Sequence, residues 1–211
     1  MPLLLDVPYE DKEEAKERGA LWNKDLKKWY APDKTKYPFF YHWISPNSLI
    51  ILDYLYIVEG FRECWRCKKQ TKVIAFGIEN FYLTEGKNML DHIILCSGFL
   101  KMPKSLLEYL DTTYKFRKRF SQTEGHEYYS NGCQYCNALQ GDQFLFKFPD
   151  SPFVINSAHK AKELTFYKIK LTYDIVSYCD LRIAIKRNLI DDSKIFELEE
   201  KFFDELSKID S

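Results

Sequence analysis

Four of the six cysteines in this 211-residue chain form two C-x-x-C pairs, Cys64 with Cys67 and Cys133 with Cys136. A C-x-x-C turn points two thiolates at a common centre, and two such turns complete a tetrahedral Zn(Cys)₄ site with each sulfur about 2.3 Å from the metal. Zinc patterns usually separate their pairs by about 15–20 residues, whereas 65 residues intervene here. The spacing therefore predicts two sequence-distant knuckles that the fold brings together around one structural Zn²⁺, as in a zinc ribbon that carries an insertion.

Three other roles for these pairs remain open from the sequence alone: disulfides, a thioredoxin-like redox motif, and ordinary buried thiols. A reducing compartment disfavours disulfides, and neither pair lies between a buried strand and a helix as the redox motif requires. The other two cysteines, Cys96 and Cys179, lie in apolar stretches. We therefore expect both to be core thiols rather than metal ligands.

The composition is that of a globular protein, with 45% hydrophobic and 29% charged residues. Lys+Arg and Asp+Glu both number 31, so no global basic charge indicates a nucleic acid or an anionic membrane as partner. The apolar runs are shorter than the ~20 residues of a membrane span, and the N-terminus lacks the basic and apolar regions of a signal peptide. We therefore expect a cytoplasmic protein of one sizeable domain or two small ones, with no membrane partner.

Residues 1–45 are predicted to form a small β-α-β-β module. A strand over residues 3–7 precedes a charged helix over residues 10–18, which Gly19 ends. Two short strands follow, and they carry Trp22 and Trp29 on either side of a polar turn. We expect the two indoles to lie on one face of this hairpin, beside the helix.

Residues 7–32 carry the pattern V-P-Y-x-D-K-x-x-A-K-x-x-G-A-x-W-N-x-x-x-K-K-W-Y-x-P. This pattern resembles a small bacterial domain of unknown function that is appended to plasmid-type DNA primases and other mobile-element proteins, also beside cysteine-pair regions. Asn23 stands where the family more often has Asp. The resemblance implies a binding or accessory module and supplies no catalytic residue.

Residues 46–150 are predicted to form a zinc-ribbon-like antiparallel core, interrupted by an insertion over residues 77–112. The arms of the ribbon are expected beside the cysteine pairs, over residues 49–63, 71–76 and 139–146. Within the insertion, residues 92–96 predict a strand and residues 103–110 a helix. Gly132, directly before the second pair, predicts a turn with an unusual backbone angle.

Residues 151–211 are predicted to pack on this core as a strand followed by two helices. The strand covers residues 164–174, where apolar and polar side chains alternate. The helices are expected over residues 181–189 and 194–209, and the second of them has an apolar side. The chain as a whole is therefore predicted to have an α+β fold.

The basic residues concentrate around the cysteine pairs, since residues 61–148 hold thirteen Lys and Arg against nine Asp and Glu. Eight of them flank the pairs, namely Arg66, Lys68, Lys69, Lys72, Lys115, Arg117, Lys118 and Arg119. Together with the aromatic residues Trp65, Tyr114, Phe116 and Phe120, they predict a surface that neutralises the phosphates and stacks the bases of DNA or RNA. The alternation over residues 114–120 is also typical of a half-buried strand with one solvated face.

The sequence contains no nucleotide-binding, serine-hydrolase or metalloprotease motif. A Zn(Cys)₄ site has no open coordination position, so it would be structural rather than catalytic. We therefore predict a non-catalytic zinc-binding accessory or adaptor protein in DNA transactions of a bacterium or its mobile elements. Two alternatives remain: a factor that binds a protein and inhibits or recruits a host complex, and a metal-dependent nuclease that uses acids such as Asp142, Asp150, Glu163 and Asp174.

Overall fold

The computed structural model describes residues 1–44, 48–83, 91–98, 102 and 104–198. Its first elements are β1 (Leu3–Leu5), α1 (Lys12–Glu17), β2 (Leu21–Asn23) and β3 (Lys28–Ala31). They confirm the predicted β-α-β-β order, and the strands form one sheet in the order β1-β3-β2. A 3₁₀ helix over Lys34–Trp43 follows them.

The rest of the chain mixes strands with short helices, which confirms the α+β class. The elements up to the second cysteine pair are β4 (Leu49–Ile51), β5 (Tyr54–Glu63), β6 (Gln70–Ile78), β7 (Phe81–Leu83), β8 (His92–Ser97), α2 (Lys104–Tyr114), β9 (Arg117–Phe120) and β10 (Glu127–Gly132). Those after it are β11 (Leu139–Gln140), α3 (Asp142–Phe146), α4 (Ala158–Lys162), β12 (Thr165–Lys170), β13 (Ile175–Ser177), β14 (Asp180–Lys186) and β15 (Ile195–Leu198). None of the helices in the described ranges has the length and apolarity needed to cross a bilayer.

The largest sheet has six strands in the order β14-β8-β6-β5-β12-β15. Neighbouring strands pair antiparallel except β12 and β15, which are parallel. Side chains alternate along β5, so that Leu55 and Ile57 pack on the face covered by α2, while Tyr56 and Val58 pack with Phe153 on the opposite face. Because both faces are buried, this strand appears in the sequence as a continuous apolar run rather than an alternating one.

The main core lies on the two faces of this sheet and not around the cysteine pairs, which corrects the predicted ribbon-centred core. Residues 77–112, predicted as an insertion, instead supply β8 and α2, and both pack into the core. The arm predicted over residues 139–146 is the two-residue β11 followed by α3. The four cysteines of the two C-x-x-C pairs form a separate small cluster with Ala138.

The α-helices predicted over residues 181–189 and 194–209 are also corrected. The first segment is mostly β14, which pairs antiparallel with β8 and places Ala184 opposite Ile94. The second begins as β15, and its residues 199–211 lie outside the described part of the chain. Alternating Ile183 and Ile185 favour a strand, and pairing along a buried strand outweighs the weak helical preference of the segment.

Asp174 connects the N-terminal module to the rest of the protein. Its side chain, which is 1% exposed, accepts hydrogen bonds from the Tyr37 hydroxyl at 2.7 Å and from the Asp53 amide at 3.0 Å. Its own amide donates to the carbonyl of Pro2 at 2.9 Å. Burial raises the pKa of this carboxyl even though the hydrogen bonds favour its ionised form. One residue thus joins three segments that are distant in sequence.

Replacing Asp174 with alanine is expected to lower the free energy of unfolding by about 3 kcal/mol, because the buried Tyr37 hydroxyl and the partly buried Asp53 amide lose their common acceptor. Urea denaturation followed by circular dichroism measures this change. Asp150→Ala, at an exposed position, is the matched control and should change the value by less than about 0.5 kcal/mol. Equal effects of the two substitutions would show that Asp174 does not hold these segments together.

Candidate metal centre

The first cysteine pair occupies the turn between β5 and β6. The Cys64 amide donates to the Lys69 carbonyl at 2.9 Å, and the Lys68 amide donates to the Cys64 carbonyl at 2.9 Å. Lys68 has a φ of 62°, in the left-handed region that residues other than glycine rarely adopt. Backbone bonds therefore close the turn on both sides and fix the direction of its cysteine side chains.

The second pair occupies an equivalent turn between β10 and β11. The Cys133 amide donates to the Ala138 carbonyl at 2.8 Å, and the Asn137 amide donates to the Cys133 carbonyl at 2.9 Å. Asn137 has a φ of 60° and holds the position that Lys68 holds in the first turn. The same hydrogen bonds and the same left-handed residue show that the two turns are knuckles of one kind.

The two knuckles bring all four sulfurs together. The sulfurs of Cys64, Cys67, Cys133 and Cys136 lie within 4.8 Å of one another. Across the two turns, Cys64 and Cys136 are 3.7 Å apart and Cys67 and Cys133 are 3.6 Å apart. A tetrahedral centre with metal–sulfur bonds of about 2.3 Å has sulfur–sulfur edges of about 3.8 Å. The four cysteines, all free thiols, are therefore positioned to bind one metal ion.

The surroundings of Cys64 and Cys133 favour thiolates, which are the form that binds a metal. Burial opposes ionisation of Cys64, but the amides of Cys67 and Arg66 donate to its sulfur and lower its pKa to about 6. The pKa of Cys133 is also lowered, because the amides of Cys136 and Tyr135 outweigh its burial. The Ala138 amide also donates to Cys136, but burial and the neighbouring cysteines raise the pKa of Cys136 to about 11. The protons that remain in the cluster are those that a bound cation displaces.

A side-chain donor adds to these amides. The Gln140 Nε2 atom lies 3.4 Å from the Cys64 sulfur and 2.9 Å from the Ala138 carbonyl oxygen, and donates to both. Gln140 is fully buried at the end of β11. Because it comes from the strand that leaves the second knuckle and reaches a sulfur of the first, it connects the two knuckles without a metal.

Amide side chains also attach the second knuckle to β6 and α2. Asn131 accepts from the Ile74 amide at 2.7 Å and donates to the Ile74 carbonyl at 2.9 Å, as a neighbouring strand would. The Gln134 amide donates to the Thr71 hydroxyl at 3.0 Å, and its side chain donates to the Thr113 carbonyl at 3.0 Å. These bonds explain how the fold aligns two turns that are 65 residues apart.

No curated protein and no solved structure matches the chain. A family model described as a domain of unknown function, DUF5710, matches residues 3–45. This match confirms a small domain of unknown function in the N-terminal part, which includes Trp22 and Trp29 of the predicted hairpin. It does not extend to the metal centre, and the association with primases stays a prediction.

Two of the predicted nucleic-acid residues, Arg117 and Arg119, donate hydrogen bonds to the second knuckle. Arg119 donates to the Asn137 side chain at 2.7 Å and to the Lys115 carbonyl at 3.0 Å, and Arg117 donates to the same Asn137 oxygen at 2.9 Å. The Arg119 guanidinium lies against Gly132, where any Cβ would collide with it. Gly132 therefore leaves room for this guanidinium, and because it is the last residue of strand β10, the predicted turn at this residue is wrong.

The other predicted basic residues are spread around the centre. Three of them pair with acids: Lys68 with Glu63 at 3.9 Å, Lys72 with Glu59 at 3.1 Å and Lys118 with Glu127 at 3.7 Å. Lys69 lies over the Tyr135 ring, with its Nζ 5.0 Å from the ring centroid. Arg66 is exposed between the first two cysteines. Lys115 is half-buried and offers its carbonyl to Arg119.

The aromatic residues divide sharply by exposure. Tyr114 and Phe116 belong to the main core, so neither is available to stack on a ligand. Trp65 is 55% exposed in the first knuckle, and Tyr135 is 61% exposed in the second. The Trp65 indole donates to the Leu139 carbonyl at 2.8 Å, which fixes its ring against the opposite knuckle. Each knuckle therefore presents one aromatic ring to solvent.

The sequence analysis identified the cysteines but missed the residues that align them. Asn131, Gln134 and Gln140 are polar residues within or next to the second pair, and nothing in their spacing shows that Asn131 and Gln140 are buried. The roles of Gln140 and Asn131 can be recognised only once their partners, Cys64 in the first knuckle and Ile74 on β6, are placed in space.

Gln140→Leu is expected to weaken metal binding by about tenfold to a hundredfold, because a donor to a ligand sulfur is lost while the side-chain volume is kept. Competition with a chromophoric chelator measures the affinity. Gln122→Leu, at an exposed position, serves as control and should leave it unchanged. Equal affinities of both variants and the parent protein would remove Gln140 from the centre.

Proposed function

We propose that the four cysteines hold one structural Zn²⁺ and that the two knuckles around it form a binding surface for single-stranded nucleic acid. The protein would then act as a non-catalytic accessory factor in DNA or RNA transactions. The observation that carries this proposal is the pairing of the metal centre with an exposed aromatic ring and basic side chains on its rim.

The donor set supports zinc as the metal. Four thiolates in a tetrahedral arrangement suit Zn²⁺ or an iron–sulfur centre, and O-ligand metals such as Mg²⁺ and Ca²⁺ do not bind there. Zinc would be held by Cys64, Cys67, Cys133 and Cys136, and would supply the cross-link between the two knuckles. With every position filled by sulfur, it leaves no site for water or substrate. The role of the metal is therefore structural.

The proposed nucleic-acid surface is centred on Trp65, Tyr135, Arg66 and Lys69. Exposed aromatic rings stack bases of any sequence, and basic residues nearby neutralise phosphates. Lys69 lies over the Tyr135 ring, so one charge and one stacking face are already adjacent. Arg117 and Arg119 contribute indirectly because they fix Asn137 and with it the second knuckle. Lys68, Lys72, Lys115 and Lys118 form the outer part of the predicted surface.

A protein-binding role is the alternative that a specific observation favours. Phe144 and Phe148 are 51% and 41% exposed, and their ring centroids are 5.7 Å apart. The Arg62 guanidinium lies 5.5 Å from the Phe144 ring centroid. Exposed aromatics beside an arginine are typical of protein interfaces. The nuclease alternative has less support, since the acids proposed for it form no metal-binding group in the described residues.

Elemental analysis of protein purified without a metal-affinity tag is expected to give one zinc per chain. Cys133→Ser should lose the metal and much of the folded protein, because binding and folding of the knuckles are coupled. Cys96→Ser is the matched control: Cys96 lies in the main core, away from the cluster, and should keep the zinc. Iron in place of zinc would overturn the metal assignment, and full metal retention in Cys133→Ser would overturn the four-cysteine site.

Trp65→Ala is expected to weaken binding of a single-stranded oligonucleotide by about 1–3 kcal/mol, the contribution of one stacked base. Lys69→Gln should reduce the slope of log K against log[salt] by about one. Fluorescence anisotropy measures both, and zinc content reports whether each variant is folded. Trp22→Ala, at a tryptophan of similar exposure in the N-terminal module, is the control. Binding that is independent of salt, or equally affected by both tryptophan changes, would favour the protein-binding alternative.

A further inference from the structure

A cleft of about 1080 Å³ lies apart from the four sulfurs, between β10, α3, the end of β8 and the start of β14. Its size is at the upper end of the range for small-molecule sites. Aromatic, apolar and charged side chains converge on it, among them Tyr128, Asp142, Phe146, Tyr178, Leu181 and Arg182. Nothing in the role of the metal centre accounts for this cleft.

The polar anchor of the cleft is Asp142, the first residue of α3. Ser97 donates to its carboxylate, and the Ser97 hydroxyl in turn accepts from Arg182 Nε at 2.8 Å. This chain of hydrogen bonds holds the carboxyl group in place from one side. Burial raises the pKa of Asp142 to about 6, although Ser97 and Arg182 both favour the ionised carboxylate.

The charges around Asp142 are not balanced. Arg182 forms its ion pair with Asp180, at 3.0 Å. Glu124 also lines the cleft and acts on Asp142 as a like charge. Over the whole lining, Lys118 pairs with Glu127 and Lys147 adds a further positive charge, so the four carboxylates exceed the Lys and Arg side chains by one. A ligand that brings a positive charge would satisfy the remaining imbalance, and the Tyr128 and Tyr178 rings in the wall suit a planar or cationic group.

We propose that this cleft binds a small organic cation, of the ammonium, amidinium or guanidinium class, which pairs with Asp142 while its body packs between the tyrosine and apolar walls. The site is separate from the centre of the nucleic-acid surface, because its lining does not include Trp65, Arg66, Lys69 or Tyr135. Only Lys118, from the outer part of that surface, also lines the cleft. The mixed lining makes the site selective. The Asp142 carboxylate favours ligands with a positive charge, and the tyrosine rings favour ligands with a flat or apolar body.

Benzamidine, benzamide and benzoate are suitable probes because they share shape and differ in charge. Titration of the metal-loaded full chain by isothermal calorimetry is expected to show benzamidine binding with a Kd of about 1 mM or tighter. Benzamide and benzoate should bind at least tenfold more weakly. Similar affinities for benzamidine and benzamide, or no binding of benzamidine at several times that concentration, would overturn the proposal.

Asp142→Asn keeps the size of the side chain and removes its charge, so it should weaken benzamidine binding at least tenfold. Asp150→Asn, outside the cleft, is the matched control and should bind as the parent protein does. If Asn at position 142 disturbs folding, as shown by circular dichroism, Glu124→Gln on the exposed rim provides the second test. It should weaken benzamidine binding by several-fold, and an unchanged affinity would overturn the assignment of this end of the cleft.

Discussion

The arrangement of the cysteine side chains depends on the contact between two turns that are 65 residues apart in the sequence. Closing a loop of this length costs about 4 kcal/mol of chain entropy, and the cost rises only slowly with length. A structural zinc site contributes about 10–16 kcal/mol in small zinc-binding units. The long separation of the two pairs is therefore no obstacle to a shared centre, provided that the intervening chain is itself folded. Here that chain is folded as part of the main core, because it supplies β6, β8 and α2, which pack with strands from outside it.

Hydrogen bonds from a buried side chain hold the second knuckle against β6. Asn131 completes both backbone hydrogen bonds of Ile74 at a point where β8 does not yet pair with β6, since that pairing begins at Phe76. A side-chain amide thus replaces a missing strand and leaves no backbone group of Ile74 unpaired in the interior. These bonds orient the knuckle without a metal. The sulfur–sulfur distances are accordingly close to those of a tetrahedral centre.

Local sequence patterns predicted the structure correctly where interactions among residues close in sequence determine it. The C-x-x-C spacing predicted the cluster of four sulfurs, and the β-α-β-β order followed from Gly19 and the hairpin that carries the tryptophans. Local sequence patterns gave wrong predictions where a residue distant in sequence determines the local structure. The local pattern of residues 181–189 predicted a helix, but most of these residues pair with the buried strand β8 and form β14. The same holds for Arg119, whose charge predicted a solvent-facing role and whose guanidinium instead packs on Gly132 and Asn137.

The metal centre and the cleft are linked through one short segment of chain. Gln140 donates to the Cys64 sulfur, and Asp142 begins α3 only two residues later, after the extended Gly141. With so short a connection, the position of the Asp142 carboxylate follows from the position of β11, which the second knuckle determines. From the other side, Ser97 and Arg182 hold the same carboxylate through the edge of the main sheet. The cleft therefore lies where the knuckle region meets the sheet, so its shape depends on both and not on the surface of either part alone.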